Sequence, residues 1–128
     1  MHNKEEKKLI LLIDDVEFYL EAAQSILKDR YRIVTAKSGQ EAVTFLLQGT
    51  VPDLILLDII MPKMDGWETY NILRGISLLK EVPIVFVTAL DQTSDEKQAL
   101  ELGAAGFITK PYRKKDLLKK IEKIIFKK

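Results

Sequence analysis

Short apolar runs alternate with amphipathic stretches along the whole chain. Residues 9–13, Leu-Ile-Leu-Leu-Ile, are continuously apolar, which predicts a strand buried on both faces. Residues 17–28 follow at helical spacing, with Phe18, Ala22 and Ile26 expected on one face beside Ala23 and Leu27. The β-branched run at 31–36 predicts a second strand. Ser38-Gly-Gln-Glu41 has the form of a capping box, opening a helix expected to turn Ala42, Val43, Leu46 and Leu47 inward. Gly49 ends that helix and Pro52 blocks its continuation.

The alternation continues with a strand at 53–57 and loop chemistry at 61–66. A helix at 67–79 is expected to bury Leu73 and Ile76, before a fourth strand at 83–88. Thr93-Ser-Asp-Glu96 repeats the capping pattern and starts a helix that stops at Gly103. Residues 107–108 give a short fifth strand. A last helix at 114–126 carries Leu117, Leu118, Ile121, Ile124 and Ile125 on its apolar side. Five strands alternating with five helices predict an α/β fold, a doubly wound parallel sheet covered on both faces, since parallel strands need crossovers. No repeat or linker interrupts the pattern, so one domain is expected over 1–128, with a polar tail over 1–8.

Composition narrows the possibilities. With 47% apolar and 30% charged residues, the body of the chain has enough apolar surface to fold. No cysteine is present, which excludes disulfides, thiolate metal sites and cysteine nucleophiles. No run approaches the roughly 18 apolar residues of a membrane span, and the first apolar run stops at Asp14-Asp15 without a cleavage site. A cytoplasmic protein with no membrane insertion is the expectation. Charge is uneven. Residues 110–128 hold nine Lys or Arg against Asp116 and Glu122, a segment of +7 in a chain of net +1.

Ligands of open α/β sheets bind beyond the carboxyl ends of the strands, so the residues there are the informative ones. They are Asp14 and Asp15 after the first strand, Asp58 after the third, Thr88 at the fourth and Lys110 after the fifth. Taken singly, each has a plain structural use: an aspartate caps a helix, a threonine satisfies the backbone, a lysine is a surface charge. Their conjunction is what points to chemistry. Three neighbouring carboxylates resist ionising together unless a cation joins them, and Mg²⁺ takes oxygen ligands while keeping room for others. Lys110 adds a second positive charge and the Thr88 hydroxyl a donor. A carboxylate in such a setting can accept a phosphoryl group, because that chemistry is mostly positioning and electrostatics. Asp58, at the end of the central strand, is the candidate nucleophile.

Four segments carry a resemblance: Leu11-Leu-Ile-Asp-Asp15, Asp53-Leu-Ile-Leu-Leu-Asp58-Ile-Ile-Met-Pro-Lys-Met-Asp-Gly66, Val85-Phe-Val-Thr-Ala89 and Gly103-Ala-Ala-Gly-Phe-Ile-Thr-Lys-Pro111. In that order the chain resembles the response-regulator receiver domains of two-component signalling, stand-alone chemotaxis and phosphorelay regulators included. The resemblance implies a flavodoxin-like sheet with strand order 2-1-3-4-5. It implies that Asp58 accepts phosphate from a histidine kinase or a histidine phosphotransfer protein. Asp14, Asp15, Asp58 and the backbone carbonyl of Ile60 would form the Mg²⁺ site, Lys110 would contact the phosphoryl group, and Lys110-Pro111 would be cis. Thr88 and Phe107 would form the switch, moving together to change the face of the fourth helix, fifth strand and fifth helix for a downstream protein target. Such a protein is a stoichiometric phosphoacceptor and not an enzyme.

Two other functions compete. A haloacid-dehalogenase type phosphatase also uses an aspartate after the first strand, but needs a second acid two positions on, where this chain has Val16. A pseudo-receiver serving only for docking would not need the full set of motif residues. His2, the only histidine, lies in the polar tail and is no phosphodonor. Trp67 is expected to pack near the start of the third helix. With no segment after the last helix, direct nucleic-acid binding is not expected. The resemblance also implies that the residues two beyond Asp58 and Thr88 flank the path of attacking water; here they are Ile60 and Leu90, both apolar and unable to orient a water, so a long-lived phosphoryl group is expected.

Overall fold

The inner strands of the computed structural model fall on the apolar runs, and each crossover carries a helix; residues 7–89 and 93–126 are described, Thr93 by its backbone only. The expectations for His2, Leu90 and the Thr93 cap lie outside the described residues. The order is β1 Leu9–Ile13, α1 Glu17–Leu27, β2 Arg32–Ala36, α2 Gly39–Leu46, β3 Leu54–Asp58, α3 Gly66–Arg74, a 3₁₀ turn Ser77–Leu79, β4 Ile84–Thr88, α4 Thr93–Glu101, β5 Gly106–Thr109 and α5 Lys114–Ile125. All pairings are parallel and the sheet order is β2-β1-β3-β4-β5, as the resemblance implies.

The three inner strands are buried along their whole length, and alternation of side chains divides them between two cores. Leu11, Ile13, Ile55, Leu57, Ile84 and Phe86 face α2, α3 and α4 through residues such as Leu46, Tyr70 and Ala99. Ile10, Leu12, Leu54, Leu56, Val85 and Val87 face α1 and α5 through Leu20, Leu27, Leu117 and Ile121. Gly49 and Gly103, with φ of 107° and 97°, follow α2 and α4 where the chain must turn left-handed.

Several details differ from the sequence expectations. α1 buries Leu20, Ala23 and Leu27, while Phe18 stands 68% exposed and Ala22 and Ile26 only flank the core. Ala23 and Leu27 are buried as expected, and Leu20, not Phe18, completes the buried face. α2 buries Ala42 and Leu46, but Leu47 is its C-cap and points outward. The third helix breaks at Gly75, and residues 77–79 form a separate 3₁₀ turn that still buries Leu79. Ser38 caps α2 by accepting from the Glu41 N–H at 3.0 Å, but the Glu41 carboxylate takes the Lys37 N–H and not the cap residue's own. The complete capping box belongs to Asp65 and Glu68, and Asp65 was read from sequence only as loop.

Candidate functional site

Strand register brings the site together before any loop does. Ile13 pairs with Leu57, so Asp14 and Asp58 leave adjacent strands at one level. Asp58 is the last residue of β3, paired with Val87, and not the first residue beyond the strand. Thr88 and Thr109 pair at the ends of β4 and β5, and the Lys110 N–H donates to the Thr88 carbonyl at 2.8 Å. The Lys110-Pro111 peptide is cis.

Asp14, Asp58, Thr88 and Lys110 are buried, and Asp15 is exposed at the rim. One carboxylate oxygen from each of Asp14, Asp15 and Asp58 lies within 4.8 Å of the others. The Lys110 ammonium reaches Asp14 Oδ2 at 2.6 Å and donates to Asp58 Oδ1 at 3.3 Å. Its contact with Asp14 is a charge contact without hydrogen-bond alignment, so the buried Asp14 Oδ2 has no hydrogen-bond partner. Asp14 Oδ1 accepts the Val16 N–H at 2.9 Å.

Burial raises the Asp58 pKa most, and the Asp14 charge adds to it; Asp15 contributes less, and Lys110 only partly offsets them. The Asp58 carboxyl is thereby pushed up to about 7. Such a donor set fits a hard divalent cation: clustered carboxylate oxygens, one of them buried without a donor, in a site that penalises their negative charge.

The loop after β3 closes against the strand. The Gly66 N–H donates to the Ile59 carbonyl at 2.7 Å, and a Cβ on Gly66 would stand 2.4 Å from the Asp58 carbonyl oxygen. Lys63, at φ 70°, sits between Pro62 and Met64, whose N–H returns to the Pro62 carbonyl at 2.7 Å in a γ-turn. Ile60 is 55% exposed on this loop. Phe107 is half-buried and packs on the core that holds Phe86 and Tyr70. Trp67 is half-buried with its ring 4.7 Å from that of Phe86, a packing role as expected.

One neighbour of the site was not legible in sequence. Tyr19, on α1, places its ring 4.0 Å from the Lys110 ammonium. No motif marks that position; the first turn of α1, which starts at the carboxyl edge just after Asp14 and Asp15, brings the two together.

These features define a flavodoxin-like α/β protein whose carboxyl edge gathers three carboxylates, a hydroxyl and a buried ammonium. The response regulator receiver domain family matches residues 10–122. The chain is 36% identical over 122 residues to the probable transcriptional regulator ycf27 of Cyanophora paradoxa, covering 93% of this chain and 48% of that one. The structure resembles the chemotaxis protein CheY4 of Vibrio cholerae with TM-score 0.84 and 28% identity, over 92% of this chain and 98% of that one. It also resembles the Mn²⁺-bound response regulator Rcp1, with TM-score 0.76 and 31% identity, over 91% and 92% of the two chains. The chain belongs to the response regulator receiver domain family, the phosphorylation-dependent signalling switch of two-component systems. It spans about half the length of the curated relatives it matches. Among the described residues, no helix is long and apolar enough to cross a membrane.

Proposed function

We propose that this chain, as one receiver domain over residues 1–128, accepts a phosphoryl group on Asp58 from a histidine kinase or a histidine phosphotransfer protein. The observation that carries this reading is the buried Asp58 carboxylate at the end of the central strand, grouped with Asp14 and Asp15 and 3.3 Å from the Lys110 ammonium. Asp14, Asp15, Asp58 and the Ile60 carbonyl would hold Mg²⁺; the Mn²⁺ bound by Rcp1 supports a divalent cation in a relative. When bound, the cation supplies positive charge that the carboxylates and phosphoryl oxygens share.

The chain's own residues do the rest. An Asp58 oxygen attacks phosphorus, and the donor leaves with the electrons of its former bond to phosphorus. Lys110 neutralises one phosphoryl oxygen, and Thr88 donates its hydroxyl to another. Drawing Thr88 toward the phosphoryl group would free space for Phe107, coupling Asp58 to the surface of α4, β5 and α5. That surface carries a groove of about 280 Å³ lined by Leu100, Phe107, Lys120, Lys123 and Ile124, where a downstream protein would read the change. The chain acts as a stoichiometric switch and not as an enzyme.

Incubation with acetyl phosphate and Mg²⁺ tests the reading. The wild type gains one phosphoryl group by mass spectrometry, and Asp58→Asn gains none. Full labelling of Asp58→Asn would remove Asp58 as acceptor, and no labelling of the wild type would favour a docking module without phosphorylation.

A further inference from the structure

We infer that Tyr19 is a positioning residue for Lys110, holding its ammonium at the phosphoacceptor throughout the signalling cycle. This inference rests on the reading of Lys110 as the cation that meets the phosphoryl group.

The Lys110 side chain is 3% exposed, and a buried ammonium needs partners to offset its lost hydration. Among the described residues it has Asp14 Oδ2 at 2.6 Å, Asp58 Oδ1 at 3.3 Å and the Tyr19 ring at 4.0 Å. The two carboxylates change roles during the cycle. Both belong to the cluster that would share its charge with a divalent cation, and Asp58 loses its own charge when it becomes an acyl phosphate. The Tyr19 ring does neither. Its quadrupole offers the same negative face to the ammonium whatever the state of the acids, and that attraction strengthens where water is excluded.

The ring is also held in place. Phe18 meets it edge-on with centroids 5.3 Å apart, and Tyr112 meets it edge-on at 6.4 Å. The Tyr19 N–H donates to the Val16 carbonyl at 3.0 Å, at the start of α1, where Asp14 binds the Val16 N–H. The same short segment thus orients an acid of the site and the ring that steadies its base. The interaction needs an aromatic face and not the phenol, so phenylalanine should serve and leucine should not.

The test uses the full chain with Tyr19→Leu, Tyr19→Phe and Tyr19→Trp. Acetyl phosphate labels Tyr19→Leu roughly fivefold to tenfold more slowly than the wild type, the rate worth of one partly buried cation–π contact. Tyr19→Phe and Tyr19→Trp keep rates within about twofold of the wild type, since both retain the ring face. In a second readout, protein labelled with ¹³Cε-lysine, with the Lys110 signal assigned through Lys110→Arg, shows an upfield ring-current shift of that signal. The shift is lost in Tyr19→Leu and kept in Tyr19→Phe, with or without the beryllofluoride mimic of the phosphoryl group. A Lys110 signal unmoved by Tyr19→Leu overturns the inference, as does a Tyr19→Phe variant as slow as Tyr19→Leu. If the wild type takes no label, the phosphoacceptor reading fails, and the ¹³C comparison alone decides whether Tyr19 holds Lys110.

Discussion

The Tyr70 hydroxyl donates to the Leu102 carbonyl at 3.0 Å and so joins α3 to the turn that ends α4. Arg74 completes the joint, its Nε donating to the Tyr70 hydroxyl oxygen at 3.3 Å and a terminal nitrogen to the Leu79 carbonyl at 2.9 Å. Tyr70→Phe keeps the ring on Phe86 but leaves the Leu102 carbonyl without this donor. The expected loss is about 1 kcal/mol in urea unfolding. Hydrogen exchange should quicken at Leu102, Gly103 and Ala104 but not in β3. Equal protection of these amides in the variant would show that packing alone holds the end of α4.

A second prediction concerns pH. Asp58 titrates at about 7 in the fold against 3.8 as its ordinary value, so between these values the folded state holds a proton that the unfolded chain has released. This group therefore costs stability as pH rises from about 4 to 7. In a metal chelator, urea midpoints of the wild type should fall across that window relative to Asp58→Asn. Above pH 7 the asparagine variant should be the more stable protein, and added Mg²⁺ should narrow the gap by stabilising the wild type. Parallel curves for the two proteins in chelator would contradict the shift.

Gly66→Ala tests the closure of the loop on β3. The added Cβ would meet the Asp58 carbonyl oxygen at 2.4 Å and the Ile59 Cα at 2.7 Å, both of them backbone, so the strand end or the helix must give way. The expected cost is roughly 1–3 kcal/mol, as for other overpacked sites. Displacing Asp58 should also slow its labelling by at least about tenfold, because reaction geometry tolerates little misplacement. Wild-type labelling in a destabilised variant would mean that α3 moves and β3 does not.

Phosphoryl lifetime is the fourth. Ile60 is exposed at the mouth of the site and offers no group to orient water. Slow loss of phosphate is expected from the purified wild type, and loss at least about threefold faster from Ile60→Glu, whose carboxylate can hold a water in line. Phosphate release measured after removal of the phosphodonor checks it. Equal rates for the two proteins would show that this position does not shield the phosphoryl group.

Sequence revealed the strand-end residues because continuous apolar runs mark where buried strands stop, and a carboxylate, hydroxyl or lysine immediately after such a run is conspicuous. Asp14, Asp15, Asp58, Thr88 and Lys110 were all legible on that ground. Helix faces were harder. In α1 both Phe18-Ala22-Ile26 and Leu20-Ala23-Leu27 keep helical spacing, and only the sheet beneath decides that the second set is buried. The Asp65–Glu68 capping box was present as a pattern, but its first residue lay inside a loop motif. Tyr19 and Tyr70 act across 91 and 32 positions of sequence, distances over which no periodicity carries information.

The parallel pairing of β1 with β3 has a consequence for how this protein can be altered. Asp14 and Asp58 are separated by one step across a hydrogen-bonded ladder, so their spacing is a property of the sheet and not of any loop. The sheet acts as a ruler for the acids, while the surface of α4, β5 and α5 would supply what a partner meets. Exposed positions of that surface such as Leu100, Lys120 and Lys123 could be exchanged without resetting the distance between the two carboxylates. Recognition and chemistry are thus carried by separate parts of the molecule, and one can be rewritten while the other keeps its measure.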